Sequence, residues 1–192
     1  MFFNIQDLDK KAQIQNLTES YANFELSSLK KSLNSKEAYD IFLSHSFLDA
    51  KYIKLIRDEL VGLGYSVYVD WIESPQLNRN EVTSKTAEEL RKAMKKSKTL
   101  FFATTENYQK SNWMPWELGY FDALKNKVAI LPVKTVPDST EQYKGTEYLG
   151  LYSYVTITNN RSNELVIWIN NNSEEYVSFA EWREGREPYV HN

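Results

Sequence analysis

The residues best suited to chemistry in this 192-residue chain lie together in Ser111 to Leu124, SNWMPWELGYFDAL. A turn at Ser111-Asn112 leads into two tryptophans, Trp113 and Trp116, with Pro115 between them, and then into Glu117. A proline suits the first turn of a helix, where its missing N–H is one of the orphan donors, and Asn112 is placed to cap that turn. Glu117 is therefore expected near the positive end of a short helix, beside aromatic rings able to wall off a small pocket. Two readings stand side by side. A first-turn acid gains about 0.3–1 kcal/mol from the helix dipole with no further role. That reading leaves Trp113 unexplained, because i−4 spacing sets its indole over the face that carries Glu117. Aromatic packing raises a carboxyl pKa and the dipole lowers it, so the sequence leaves that balance open. Trp116 and Tyr120 share an i, i+4 face and are expected in the core.

Other routes to chemistry are narrow. The chain has no cysteine, which excludes disulfides, thiolate nucleophiles and Cys-ligated metal. It has two histidines, His45 and His191, and no HExxH, so no metal site is expected and a histidine triad would rest on His45 alone. There is no GxGxxG and no Walker loop. His45 is read either as a ligand contact for a phosphate or ribose, or as a partly exposed loop histidine bonding the backbone. Asp70 is read either as a ribose-binding acid or as a residue that turns the chain into a loop.

These side chains need a frame. Tyr39 to Ser44 (YDIFLS) has the pattern of a strand buried on both faces. Ser46 to Asp49 has capping-box spacing, and Ile53, Ile56, Leu60 and Leu63 mark one face of a helix ended by Gly62 and Gly64. Tyr65 to Asp70 (YSVYVD) is the next strand, completing a βαβ unit. Trp71 to Val82 reads as a long loop of the kind that often carries function. Thr86 to Lys96 is a helix with Ala87, Leu90 and Met94 inward. Leu100 to Ala103 is a strand, and Val128 to Val133 follows the Glu117 helix as another. Beyond Pro137, a strand is expected within Tyr148 to Ile157, a strand or short helix at Glu164 to Ile169, a final helix at Glu174 to Trp182, and a tail from Arg183. Met1 to Ala38 has helical spacing, with Leu17, Tyr21, Phe24 and Leu29 on one face and Lys30-Lys31 at its end.

The alternation predicts an α/β, doubly wound three-layer sandwich, whose ligands bind at the carboxyl ends of the strands. The positions to inspect are Ser44-His45-Ser46, Asp70-Trp71, Thr104-Thr105 and the helix bearing Glu117. The apolar share of 42% supports one real core. A net charge of −3 recommends neither nucleic acid nor an anionic membrane as a partner. The N-terminus meets acids too early for a signal peptide and no apolar run reaches membrane-spanning length, so a soluble, cytoplasmic protein is expected.

The order YDIFLSHS, YSVYVDW, long loop, LFFATT, S-x-W-x-x-x-E-L, VAILPV resembles the TIR (Toll/interleukin-1 receptor) domain, in its stand-alone bacterial form. The resemblance covers about Glu37 to Ser153. It implies a flavodoxin-like fold with a mostly parallel central sheet, here residues 37–157, between an N-terminal helical extension (1–36) and a C-terminal extension (158–192) packed on the domain. It implies NAD+ as substrate rather than as a retained cofactor, with Glu117 as the catalytic glutamate that splits the nicotinamide–ribose bond. The family's tryptophan is matched by Trp113, and its nucleotide-facing first loop by Ser44, His45, Ser46 and Phe47. Asp70 matches the acid after the second strand, and Trp71 to Val82 matches the BB loop, through which TIR protomers assemble into a shared active site. His45-Ser46 replace the basic residue that many members carry in the first loop. A single-domain TIR protein of this type is similar to the signal-producing component of Thoeris anti-phage systems, whose product is sensed by a separate effector protein. Two other readings compete: a catalytically silent scaffold acting through TIR–TIR assembly, and a nucleoside deoxyribosyltransferase-like enzyme.

Overall fold

A computed structural model describes residues 1–14, 38–74, 82–134, 143, 145 and 147–191. The expected helical face of Leu17, Tyr21, Phe24 and Leu29 with Lys30-Lys31 at its end, and most of the loop after Trp71, lie outside the described residues.

Among the described residues nine strands form one sheet in the order β3-β2-β4-β5-β6-β7-β8-β9, with β1 off this path, paired to the last residues of β5. They are β1 (Phe3–Asn4), β2 (Tyr39–Ser44), β3 (Val67–Tyr68), β4 (Ser97–Thr104), β5 (Val128–Lys134), β6 (Tyr154–Asn159), β7 (Leu165–Asn170), β8 (Glu175–Ser178) and β9 (Tyr189–Val190). Strands β1 to β6 pair in parallel, while β7, β8 and β9 return as an antiparallel meander. The helices are α1 (Ile5–Ile14), α2 (Ala50–Gly62), α3 (Asp70–Glu73), α4 (Ser84–Lys96), α5 (Trp113–Lys125) and α6 (Phe179–Arg183).

The period-2 alternation of the strands sorts the core into two layers. Ile41, Leu43, Phe101, Ala103, Ala129 and Leu131 face one side with Leu8 of α1, the apolar stripe of α2 and Phe179 and Trp182 of α6. Phe42, Leu100, Phe102, Val128 and Ile130 face the other, with Leu90 and Met94 of α4 and Met114, Leu118 and Phe121 of α5. This is the three-layer arrangement expected from the alternating elements. A central strand covered on both sides has no polar face to give up, which is why YDIFLS reads as an unbroken apolar run.

Several local expectations are revised. Ser46 to Asp49 do not form a capping box. Phe47–Asp49 is a 3-10 turn, and neither Ser46 nor Asp49 makes a side-chain cap bond. The second strand shrinks to Val67–Tyr68, and Asp70 opens the one-turn α3 instead of ending a strand. Glu174 to Trp182 is not one helix, because Glu175–Ser178 pairs with β7 before Phe179–Arg183 turns helical. The expected tail contains β9, paired with β8. At the N-terminus, Phe3–Asn4 is a strand whose register with Val133 and Lys134 adds it to the sheet ahead of α1. A two-residue strand has no periodicity to read, and its partner lies some 130 positions away.

The C-terminal segment crosses the amino ends of the strands, opposite the predicted site. Arg183 bonds Asp40 at 2.6 Å, Glu184 meets Lys98 at 3.1 Å, and Glu187 meets Lys127. Burial by itself raises the Asp40 carboxyl, but the Ser66 N–H and hydroxyl and the Arg183 guanidinium outweigh it and hold the pKa below its ordinary value. A folded pKa below the unfolded value of about 3.9 stabilises the fold fully above that pH, and this is lost as pH falls through the folded pKa. Arg183→Ala is therefore expected to cost about 1 kcal/mol at neutral pH. Urea unfolding across pH should show the gap to wild type closing as Asp40 protonates; a gap that persists in acid would assign the loss to packing over Tyr65.

Candidate active site

Glu117 lies in the second turn of α5, since the helix begins at Trp113. The first-turn dipole reading is thereby set aside. The cap is also displaced by one position: Asn112 has helical backbone angles and no side-chain cap bond, and Ser111 Oγ accepts from the Met114 N–H at 3.3 Å. Pro115 is the third helical residue, where a missing N–H costs little.

The helix turns the Glu117 side chain inward to the end of β2. There the Ser44 hydroxyl donates to Glu117 Oε2 at 2.6 Å, and both residues have 0% exposure. Ser44 is the last residue of a buried parallel strand and pairs with Phe102 of β4, which fixes its position. Tyr68, on the neighbouring strand, stacks on Phe42 with ring centroids 5.2 Å apart. Burial pushes its phenol pKa up, the bond to Ser74 pulls it down, and the negative potential of Asp70 and Glu117 adds to the rise.

His45 is not the partly exposed loop histidine of one reading, for it is 1% exposed. Its Nε2 accepts the Trp71 indole N–H at 2.9 Å, and its Nδ1 lies 2.8 Å from the Leu43 carbonyl. An indole nitrogen only donates, so in this bond Nε2 is the acceptor and Nδ1 is the nitrogen left to donate to the Leu43 carbonyl. Asp70 Oδ1 lies 3.5 Å from the same Nε2, so the acid and the imidazole face each other in a buried environment. The His45–Trp71 bond therefore fastens the start of α3 to the end of β2. Trp71→Phe removes the donor from a buried acceptor and should cost about 1–3 kcal/mol in urea unfolding; a loss below about 0.5 kcal/mol would show that the bond contributes little.

Beside α5 lies a cleft of about 360 Å³, lined by Val82, Thr83, Ser84, Ala87, Asn112, Trp113 and Trp116. Trp113 meets Trp116 edge to face at 5.5 Å. Trp116 stacks on Tyr120, and the Arg91 guanidinium lies 5.3 Å over its ring. Trp116 and Tyr120 are half-buried and pack against the second core layer from its rim, and Trp116 also lines the cleft. Of the residues singled out in the sequence, Trp113 lines the cleft. Ser44, His45, Ser46, Asp70 and Glu117 are buried and do not line it, Trp71 is buried on His45, and Phe47 is 54% exposed on the turn after β2.

The sequence reading missed one buried group. Asp49 accepts from the Thr105 hydroxyl and, at 2.7 Å, from Asn107 Nδ2. Its spacing from Ser46 suggested a cap, which concealed a bond to residues 56 and 58 positions away. Among the described residues no three His, Cys, Asp or Glu side chains gather into a possible metal site. No helix among them is long and apolar enough to cross a membrane.

A largely parallel sheet covered on both faces, with a buried serine–glutamate pair and an aromatic cleft at its carboxyl edge, defines a doubly wound α/β domain with its site at the strand ends. A family model described as TIR domain matches residues 41–166, and the chain belongs to the TIR domain family. A Bacillus cereus (strain MSX-D12) protein named "Probable 3' cyclic ADP-D-ribose synthase ThsB'" is 54% identical over 156 residues, 79% of this chain and 79% of that protein. The "Putative cyclic ADP-D-ribose synthase TIR2" of Cytobacillus dafuensis is 37% identical over 89 residues, 46% of this chain and 24% of its own length. The "NAD(+) hydrolase TirS" of Staphylococcus aureus (strain MSSA476) is 30% identical over 124 residues, 61% of this chain and 42% of its own.

Proposed function

We propose that this protein cleaves NAD+ at the nicotinamide–ribose bond and converts the ADP-ribosyl group into a cyclic or conjugated ADP-ribose signal. The observation that carries the reading is the buried Ser44–Glu117 pair, its glutamate on the helix whose Trp113 and Trp116 line a cleft, in a chain whose relatives are named for NAD+ hydrolysis and cyclic ADP-ribose synthesis.

The C1′–N bond breaks heterolytically. Its electron pair goes to the ring nitrogen, nicotinamide leaves neutral, and no acid is required to protonate it. The reaction needs stabilisation of the positive charge that develops on the ribose, and one carboxylate can supply it. In this reading Glu117 holds the ribose hydroxyls and sets negative charge near C1′, while Ser44 fixes the carboxylate's rotamer. Trp113, one helical turn earlier, walls the site. Ser46, Phe47, Asp70 and Trp71 contribute to substrate binding, and His45 contributes by holding Trp71. A hydroxyl of the ligand that attacks C1′ and releases its proton gives a cyclic product; water gives ADP-ribose. Excluding water favours the first. We further assign the protein to anti-phage defence, with TIR–TIR assembly on activation and a separate effector protein that senses the product.

One observation favours the scaffold reading instead: Glu117 has no solvent exposure in this structure. The deciding experiment follows NAD+ loss over a wide range of protein concentration, with products identified by mass. Turnover that rises with concentration supports an enzyme completed by assembly. A product lighter than ADP-ribose by one water identifies cyclisation. No turnover at any concentration, with infected-cell lysate added, would leave the silent scaffold.

A further inference from the structure

We propose that Asp49 is a positioning residue: by joining Thr105 and Asn107 it sets the geometry of the Ser44–Glu117 pair. The inference rests on the catalytic reading of Glu117 given above. Asp49 stands at the N-cap position of α2, yet its carboxylate makes no bond to the helix N–H groups. It is 3% exposed and reaches across the carboxyl edge of the sheet to Thr105 Oγ1 and Asn107 Nδ2. A side chain that could cap its own helix has been committed to another part of the chain.

The placement explains the consequence. Ser44 pairs with Phe102 in the β2–β4 register, so the two strands leave the sheet side by side. From β2 the chain runs five residues to Asp49. From β4 it runs to Thr105, through the Tyr108–Lys110 turn and the Ser111 cap, and into the helix that bears Glu117. Lys110 Nζ bonds Asn107 Oδ1 at 2.8 Å, which extends the same tie toward Ser111. Ser44 and Glu117 thus descend from two connections that Asp49 fastens to each other. Catalytic groups displaced by a fraction of an ångström lose rate without losing the fold, so the tie acts on turnover more than on binding.

The test uses Thr105→Val, which keeps the shape and removes the hydroxyl, Thr105→Ser, which restores it, Asp49→Asn, and the Asp49→Asn/Thr105→Val double variant. Glu117→Gln is assayed in parallel, and each melting temperature is recorded. We expect Thr105→Val to lower kcat by about tenfold, the scale of a lost bond to a buried charged group, with KM for NAD+ within about twofold. Thr105→Ser should recover kcat; Asp49→Asn keeps one acceptor oxygen but loses the charge and one of the two bonds, so the loss in the double variant should be smaller than the product of the two single losses. Should Asp49→Asn fail to fold, the Thr105 pair decides alone. Wild-type kcat in Thr105→Val, with Glu117→Gln inactive, would overturn the positioning role and leave the catalytic reading standing. Turnover that survives in Glu117→Gln would overturn both.

Discussion

Glu117→Gln is expected to lower kcat for NAD+ cleavage by about 10²-fold or more, the scale on which a group stabilising transition-state charge contributes. The substitution is well suited to the site. A glutamine Oε1 still accepts the Ser44 hydroxyl at the position now held by Glu117 Oε2, so shape and this bond are kept while the carboxylate charge is lost. The melting temperature should therefore stay close to wild type. A fall in kcat with intact folding separates chemistry from structure, which a truncation to alanine would not, because it would open a void at a position with 0% exposure. Retained turnover in a folded Glu117→Gln variant would remove Glu117 from the mechanism and return the scaffold reading to first place.

The second large effect concerns stability. Phe179→Ala is expected to cost about 3–5 kcal/mol in chemical denaturation, the range for emptying a phenylalanine site in a core. Phe179 is fully buried, with its ring centroid 4.8 Å from Tyr65, 5.0 Å from Phe101 and 6.3 Å from Trp182. Those partners belong to the connection from α2 to β3, to a central strand and to the C-terminal helix, so one side chain joins three parts of the chain. We propose that the C-terminal segment is a structural component of the domain and not an appendage. A loss below about 1 kcal/mol would show that the rest of the domain folds without needing it.

The distance between what was legible in the sequence and what was not follows the range of the interactions. The strands at Tyr39, Leu100 and Val128 and the helices at Ile53 and Trp113 were readable because periodicity and composition are local properties. The meander of β7 to β9 was partly misread. Glu175–Ser178 is too short to show a period, and its strand character comes from pairing with Trp168, Ile169 and Asn170. The same limit applied to Asp49. Its spacing from Ser46 fits a cap, and only the approach of Thr105 across the sheet edge gives its carboxylate a different partner.

For the site the division is similar. The identities of Glu117, Trp113, Ser44, His45 and Asp70, and their position after buried strands, were present in the chain as written. So was the exclusion of thiol chemistry, which needs only a count of cysteines. Only the tertiary structure decided that Ser44 bonds Glu117 across 73 positions, that His45 accepts from Trp71, and that Trp116 lines a cleft. Sequence determines which groups are available and which local geometry carries them. Parallel strands place residues side by side that are far apart in the chain, and the hydrogen bonds that set a side chain's role form only there.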